Sequence, residues 1–370
     1  MTRLLERLWH RRDEGWLTRV LLFGPWLLSL AFGLAVRRRR RARAASAVRV
    51  EAQVISVGGL TVGGAGKTPV VIHLAQELMN RGRAPAVLSR GYGRAQPGSS
   101  RVVSDGTGPH VDVRAAGDEP TLIALRCPGV PVLVGPDRAT LAREAIQRFG
   151  ARTLVLDDGF QHLSLARDLD VVVLDASSPF GNGYLLPRGP LREPREALSA
   201  ACLVWLSKID QADPGRAADL EAEVRRFTQA PIVRASYRAV DVADGMGASQ
   251  GRQALAGKKV LMLAGLARPD SFRRTLEAMG AIVSAERLLP DHGWVRPMDL
   301  DEARLQSQRL GLDAIALTEK DAVRLPDSAR KGPLAVVRID VELCGDGEAT
   351  LGRLLSGEAP SRAAAPGGRG

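Results

Sequence analysis

The densest chemistry in the chain lies in Val54–Ala75, VISVGGLTVGGAGKTPVVIHLA, centred on Gly66-Lys67-Thr68. Glycines, a lysine and a hydroxyl between two apolar runs are the parts of a phosphate-binding loop that joins a strand to a helix. Backbone N–H groups would wrap phosphate oxygens, the lysine would reach the terminal phosphates, and the hydroxyl suits Mg²⁺. The helix N-terminus adds a favourable dipole. The residues expected to line the loop are Thr61, Val62, Gly63, Gly64, Ala65, Gly66, Lys67 and Thr68. The fit to G-x-x-x-x-G-K-[ST] is imperfect, because Thr61 stands where the first glycine belongs. Gly63, Gly64 and Gly66 still permit close backbone approach, and Pro69 is tolerated in a first helical turn.

A phosphate loop needs a metal partner from another strand end. TLVLDDGFQH closes an apolar run on Asp157-Asp158, and DVVVLDAS closes one on Asp175. An acid at the carboxyl end of a buried strand can meet hydrated Mg²⁺. The adjacent pair is the stronger candidate, since two neighbouring anions repel unless a cation sits with them. AGDEPTLIA places Asp118 and Glu119 before a helix, where Asp118 would serve equally well as an N-cap and Pro120 as the first helical residue. LSRGYGR carries Arg90 and Arg94 on a glycine-rich loop, suited either to gripping phosphate or to plain solvation. In PDHGW, His292 follows Asp291, and an Asp–His pair can orient a proton-transfer group.

These groups need a scaffold, and the surrounding pattern supplies one. Strands are expected at Val50–Val57, Ala84–Leu88, Pro131–Val134, Thr153–Leu156, Val171–Leu174 and Leu203–Leu206. Helices are expected at Pro69–Arg81, from Pro120, and at Arg138–Phe149. Short, continuous apolar runs are the mark of buried parallel strands, so β-α alternation predicts a doubly wound α/β sheet. From about Ala230 a second set begins, with strands Val260–Ala264, Ala314–Leu317 and Ala335–Ile339 and a helix Ser271–Met279. The expected organisation is an N-terminal segment (1–45), a P-loop domain (46–229), a smaller α/β domain (230–355, with a polar linker at 237–257) and a disordered tail (356–370).

The net charge of +11 belongs mostly to one end. Residues 1–43 hold eleven arginines against Glu6, Asp13 and Glu14, which accounts for eight of those charges and argues against a nucleic-acid surface on the body. Between Arg19 and Arg37 lie seventeen uncharged, mainly apolar residues, roughly 25 Å as a helix and at the short end of a bilayer core. A cleaved signal is disfavoured, because Arg37–Arg41 follow where small residues should be. Two forms of membrane anchor stay open. One is a spanning helix with Arg37–Arg43 inside; the other lies in the inner leaflet, bent at Gly24-Pro25, with Trp9, Trp16 and Trp26 at the interface. Three scattered cysteines and five histidines suggest neither a disulfide framework nor a zinc centre.

Taken in order, LTVGGAGKTP, LSRGYG, GDEP, DDGFQH, FGNGYLLPRGPLREP, AGLARPDSF, PDH and TEKDAV resemble the tetraacyldisaccharide 4′-kinase family, the lipid A 4′-kinases. That family's phosphate loop is similar to TVGGAGKT, so Thr61 and the shifted glycines count toward the resemblance. Departures include Gly59, Ala65, Arg188 and Gly293-Trp294. The resemblance implies ATP- and Mg²⁺-dependent phosphorylation of the 4′-hydroxyl of a tetraacyldisaccharide 1-phosphate, giving lipid IVA. It implies an inner-membrane enzyme with its catalytic domains on the cytoplasmic side and a cleft that closes over its substrates. By motif, Lys67 and Thr68 would hold nucleotide phosphates and Mg²⁺, and Asp118, assisted by His292, would take the acceptor proton. Glu119, Asp157 and Asp158 would belong to the metal and its waters, and Arg192 would stabilise the transferred group. The competing reading is a membrane-associated P-loop GTPase or regulatory NTPase. It rests on SKID, Ser207–Asp210, which echoes a guanine-reading N/T-K-x-D but fits a surface turn better.

Overall fold

The computed structural model describes Trp9 and residues 22–212, 215–266, 269–289 and 295–357. In chain order, α1 (Phe23–Ala45) leads to β1 (Gln53–Gly58), α2 (Lys67–Asn80), β2 (Pro85–Ser89) and β3 (Arg101–Ser104). Next come α3 (Val113–Ala116), α4 (Asp118–Arg126), β4 (Val132–Val134), α5 (Arg138–Phe149), β5 (Thr153–Asp157) and β6 (Leu169–Asp175). They are followed by β7 (Leu203–Ser207), α6 (Arg216–Arg225), β8 (Ile232–Ala243) and β9 (Lys259–Ala264). The remainder is α7 (Pro269–Ala278), β10 (Ile282–Leu288), α8 (Pro297–Arg309), β11 (Ala314–Thr318), α9 (Glu319–Ala322), β12 (Leu334–Cys344) and α10 (Gly347–Ser356).

These elements form two compact units. The first comprises residues 1–90, 137–236 and 343–370, and the second comprises 91–136 and 237–342. The partition differs from the contiguous domains expected at 46–229 and 230–355. Residues 91–136 belong with the second unit and α10 returns to the first, because long-range packing, not local pattern, assigns a segment to its core. The expected linker at 237–257 is also largely structured. Tyr237–Ala243 continues β8, and Asp244 closes a tight turn by accepting from the amides of Met246 and Ala248, each at 2.9 Å.

In the first unit the strands run β8-β7-β6-β1-β5-β2, all parallel. β5, β6 and β7 are buried along their whole lengths, as strands covered on both faces must be. Parallel register puts the carboxyl ends of β1, β2, β5, β6 and β7 at one edge, with Val57 opposite Asp157 and Asp175 opposite Ser207. The chain leaves β1 for β2 on one side and later builds β6 on the other, so β1 marks the point where strand order reverses. Ligand crevices form there in open α/β sheets. α2 buries Val70, Val71, Leu74, Ala75 and Leu78, and α10 buries Leu351, Leu354 and Leu355.

α1 belongs to the first unit, and the bend expected at Gly24-Pro25 does not fall in its interior. Gly24 and Pro25 fall in its first turn, where proline is tolerated, and its second half carries Arg37–Arg41 and Arg43. Among the described residues, no helix is long and apolar enough to cross a membrane. Trp16 and most of residues 1–21 lie outside the described residues, as does the tail from 358.

The second unit carries the parallel order β10-β9-β11-β12 and an antiparallel β3–β4 pair. Alternation along β9 divides its core. Val260, Met262 and Ala264 pack with Phe272 and Leu276 of α7, while Leu261 and Leu263 pack with Leu300 and Ala303 of α8.

Candidate active site

The loop between β1 and α2 needs glycine at two places. Gly63 (φ 95°) and Gly66 (φ 82°) occupy the left-handed region, which is costly for other residues. Thr61 instead forms an isolated antiparallel bridge with Leu191, a position that a β-branched residue suits. The displaced glycines are therefore where this backbone turns. The Val62 amide donates to Pro190 O at 2.8 Å and the Arg192 amide to Leu60 O at 2.6 Å, so PLREP runs beside the loop's entry. Lys67 and Thr68 open α2, whose first-turn amides have no acceptor within the helix.

Around Lys67 the structure gathers two more of the predicted residues, Asp158 and Arg192. Lys67 Nζ lies 3.3 Å from Asp158 Oδ1, and Arg192 grips the same carboxylate through both terminal nitrogens, at 2.7 and 2.8 Å. Asp158 has φ 49°, a left-handed turn residue directly after β5. Burial alone would raise its carboxyl pKa, but Lys67 and then Arg192 outweigh that and hold it well below the ordinary carboxylate range. Asp157 is 2% exposed and accepts from Ser89 Oγ at 2.7 Å, so the two adjacent acids face different partners.

Sequence reading missed what SKID does. Ser207 and Lys208 are buried rather than part of a surface turn. Ser207 Oγ donates to Ala65 O at 2.8 Å, and Lys208 Nζ donates to Gly64 O at 2.9 Å and to Asp175 Oδ2 at 2.8 Å. Asp175, a candidate metal acid, thus holds a lysine that braces the phosphate loop. The alternating exposure signal that would have revealed this is absent, because the buried run simply continues past β7.

In the second unit the GDEP carboxylates have cationic partners of their own. Arg324, 4% exposed, bonds Asp118 Oδ2 through Nε at 3.1 Å and also through Nη2. Lys320 Nζ lies 2.7 Å from Glu119 Oε1 and 3.7 Å from Asp118 Oδ2. Burial works against the Lys320 charge, yet Glu119 and Asp118 outweigh it and raise its pKa. Asp321 is fully buried and accepts from the Gly265 amide and Thr318 Oγ1, and burial is the largest influence raising its pKa. Lys320, Asp321 and Arg324 lie in TEKDAVR, whose bases gave no clue that Lys320 and Arg324 pair with Glu119 and Asp118, 201 and 206 residues away.

LSRGYG and GDEP meet through their glycines. A Cβ on Gly91 would stand 2.7 Å from Ala116 O, and one on Gly117 would stand 3.2 Å from Tyr92 O. This close backbone contact fixes the N-terminus of α4. Arg94 does not stand on the loop as a phosphate grip; it is buried and donates to Pro97 O. Arg90 is exposed. His292 lies outside the described residues. Among the described residues, no group of three or more His, Cys, Asp or Glu side chains is arranged to hold a metal ion.

The family model for tetraacyldisaccharide-1-P 4′-kinase matches residues 21–358. The chain belongs to that family. A tetraacyldisaccharide 4′-kinase from Anaeromyxobacter sp. (strain Fw109-5) is 50% identical over 348 residues, covering 92% of each chain. Another, from Syntrophus aciditrophicus (strain SB), is 42% identical over 287 residues, covering 75% of this chain and 76% of the relative. Among solved structures, an "apo" form LpxK from Aquifex aeolicus in complex with ATP has a TM-score of 0.71 at 26% identity, covering 90% of this chain and 97% of its own. Of the departures from the family pattern, Gly59 has a packing reason. A Cβ there would come within 3.0 Å of Val173 O, and the Gly59 carbonyl accepts from Gln161 Nε2 at 2.9 Å. Arg188 stacks on the Tyr184 ring, 3.8 Å from its centroid.

Proposed function

We propose that this chain transfers the γ-phosphoryl group of ATP to the 4′-hydroxyl of a tetraacyldisaccharide 1-phosphate, forming lipid IVA in lipid A synthesis. The observation that carries this reading is the family match over residues 21–358. The Lys67–Asp158–Arg192 cluster supports it. Lys67 and Arg192 share a single carboxylate, so incoming phosphate oxygens would compete with Asp158 for two cations. Phosphoryl transfer depends on positioning and charge stabilisation more than on covalent help. Lys67 takes the terminal phosphates, Arg192 the charge on the group in flight, and Lys208 keeps the loop in shape through Gly64. Asp118 is the group for the acceptor proton, and Arg324 fixes its carboxylate. His292 assists it by the motif alone.

Oxygen donors suit Mg²⁺. In the first unit, Thr68 at the start of α2, Asp157 at the end of β5 and Asp158 directly after it would hold it; Glu119 is assigned to its water shell by the motif alone. When bound, the ion neutralises oxygens of the β- and γ-phosphates.

The membrane reading rests on α1. Phe23, Leu27, Leu28, Leu30 and Leu34 are 49–61% exposed, and Arg37–Arg41 follow them on the same helix. Apolar side chains beside a basic run suit an anionic bilayer surface, with α1 in the cytoplasmic leaflet of the inner membrane. The decisive assay uses ATP labelled at the γ-phosphate and the tetraacyldisaccharide 1-phosphate, with the label mapped on the product. GTP hydrolysis without a phospholipid product would instead establish the NTPase reading. Flotation with anionic vesicles tests α1, and loss of binding on replacing Leu27, Leu28 and Leu34 by serine is the expected result.

A further inference from the structure

We propose that Arg40 of α1 and Glu193 form a positioning pair that couples the seating of this helix to the placement of Arg192. The proposal rests on the reading of Arg192 as the charge clamp at the phosphate site.

α1 and the residue before it carry an inward stripe at alternating four- and three-residue steps: Leu22, Trp26, Ser29, Gly33, Val36 and Arg40 are buried or half-buried. That spacing is one helix face held against a packed surface. Gly33 sets the closest approach, since a Cβ there would stand 2.8 Å from Leu185 Cδ1. The stripe ends on a charge. Arg40 Nη1 lies 3.3 Å from Glu193 Oε2, and its guanidinium sits 4.9 Å from the Phe160 ring centroid.

Both contacts fall on segments that carry the phosphate cluster. Glu193 follows Arg192 directly, and Phe160 lies two residues after Asp158. Arg39 Nη2 also reaches Gln161 O at 3.4 Å, while Gln161 Nε2 donates to Gly59 O, the carbonyl that Arg192 Nη2 meets at 3.4 Å. One turn of α1 therefore touches the two chain segments that bring Asp158 and Arg192 together.

Glu193 explains why the helix has to supply a cation. Its side chain is 4% exposed, and its carboxyl is pushed up chiefly by burial, against the pull of Arg40. A buried carboxylate stripped of its partner is costly and seeks another. Arg39 and Arg192 are the other cations acting on it. With Arg40 absent, Glu193 competes with Asp158 for Arg192 and draws the clamp off the phosphate site. With α1 seated, Arg192 stays on Asp158. The exposed side of the same helix is apolar from Phe23 to Ala35 and basic at Arg37–Arg39, so an anionic lipid surface and the phosphate site act on opposite faces of one element.

The test uses the full chain with lipid acceptor in mixed anionic vesicles. Arg40→Gln is expected to lower kcat about tenfold, with KM for ATP and vesicle flotation within twofold of the parent. Arg40→Lys should recover most of the loss. The deciding variant is Arg40→Gln with Glu193→Gln, which removes the stray carboxylate and should restore kcat; a helix-docking role alone predicts no rescue. In an Arg192→Gln background, Arg40→Gln should add no further loss. Undiminished kcat in Arg40→Gln, failure of the double variant to recover in protein whose melting temperature matches the parent, or independent losses in the Arg192→Gln background would each overturn the coupling. Full activity of Arg192→Gln itself would overturn the clamp reading, and the coupling with it.

Discussion

Two clusters of opposite balance divide the polar groups of this protein. In the first unit, Lys67 and Arg192 surround one carboxylate, Asp158, whose side chain is 36% exposed. In the second unit, Asp118, Glu119 and Asp321 are met by Lys320 and Arg324, and the Arg324 and Asp321 side chains are 2% and 0% exposed. The first cluster has a cation to spare and can receive an anion. The second has an anion to spare and can receive a proton. The difference in burial matters equally. Asp158 reaches solvent and can exchange partners at small cost, whereas the Arg324–Asp321 pair is buried and committed to its geometry.

The largest effects should come from removing the surplus group on either side. Lys67→Ala and Asp118→Ala are each expected to lower kcat about a thousandfold while the protein still floats with vesicles. Full activity of either purified variant would remove that residue from its role. The next contrast concerns stability. Arg324→Gln strands a buried carboxylate and should cost about 3–5 kcal/mol, seen as lost hydrogen-exchange protection in α4 and α9. Arg192→Gln should cost at most about 1 kcal/mol despite a severe loss of kcat. Equal destabilisation by the two variants would break the distinction between an exchangeable and a committed cluster.

A smaller effect is expected at the loop brace. Lys208→Met removes the charge-assisted bond to Gly64 O and should raise KM for ATP several-fold, and an unchanged KM would show that Gly64 needs no support. The smallest effect is on pH dependence. Asp158 is held below its ordinary pKa, so its contribution to stability is complete above about pH 4 and fades as the pH falls through its lowered folded value. Asp321 is raised, so its contribution has the opposite sign: it is present in acid and lost as pH rises through the raised value. Urea melts between about pH 2 and about 6 should show Asp158→Asn reducing the loss of stability below about pH 4 and Asp321→Asn steepening it.

The sequence made the phosphate cluster easier to see than the carboxylate cluster, for physical reasons. Gly63 and Gly66 are needed for local backbone turns, and the apolar run before them can only be a buried strand. α5 was legible over its full expected length, because Asp137 caps it through the Ala139 amide and Gly150 ends it in a left-handed conformation. By contrast, β10 alternates between exposed and half-buried residues and offers no apolar run to notice. The pairing of Asp118 with Arg324 spans 206 residues, and no local period records it. Lys208 was misjudged because a lysine after a strand usually marks the surface, while this one extends through a left-handed turn (φ 56°) back under the loop.

The return of α10 to the first unit has a consequence for how the protein is made. Gly347 packs so tightly that a Cβ there would meet Val233 Cγ1 at 3.3 Å, and Leu351, Leu354 and Leu355 fill the unit's interior. During synthesis the second unit has all its residues by 342, but the first lacks its last segment until the ribosome has delivered residues beyond it. The unit that begins first is therefore completed last. A nascent chain stalled just before Leu343 would leave the phosphate-binding sheet with an uncovered apolar patch, a transient target for chaperones.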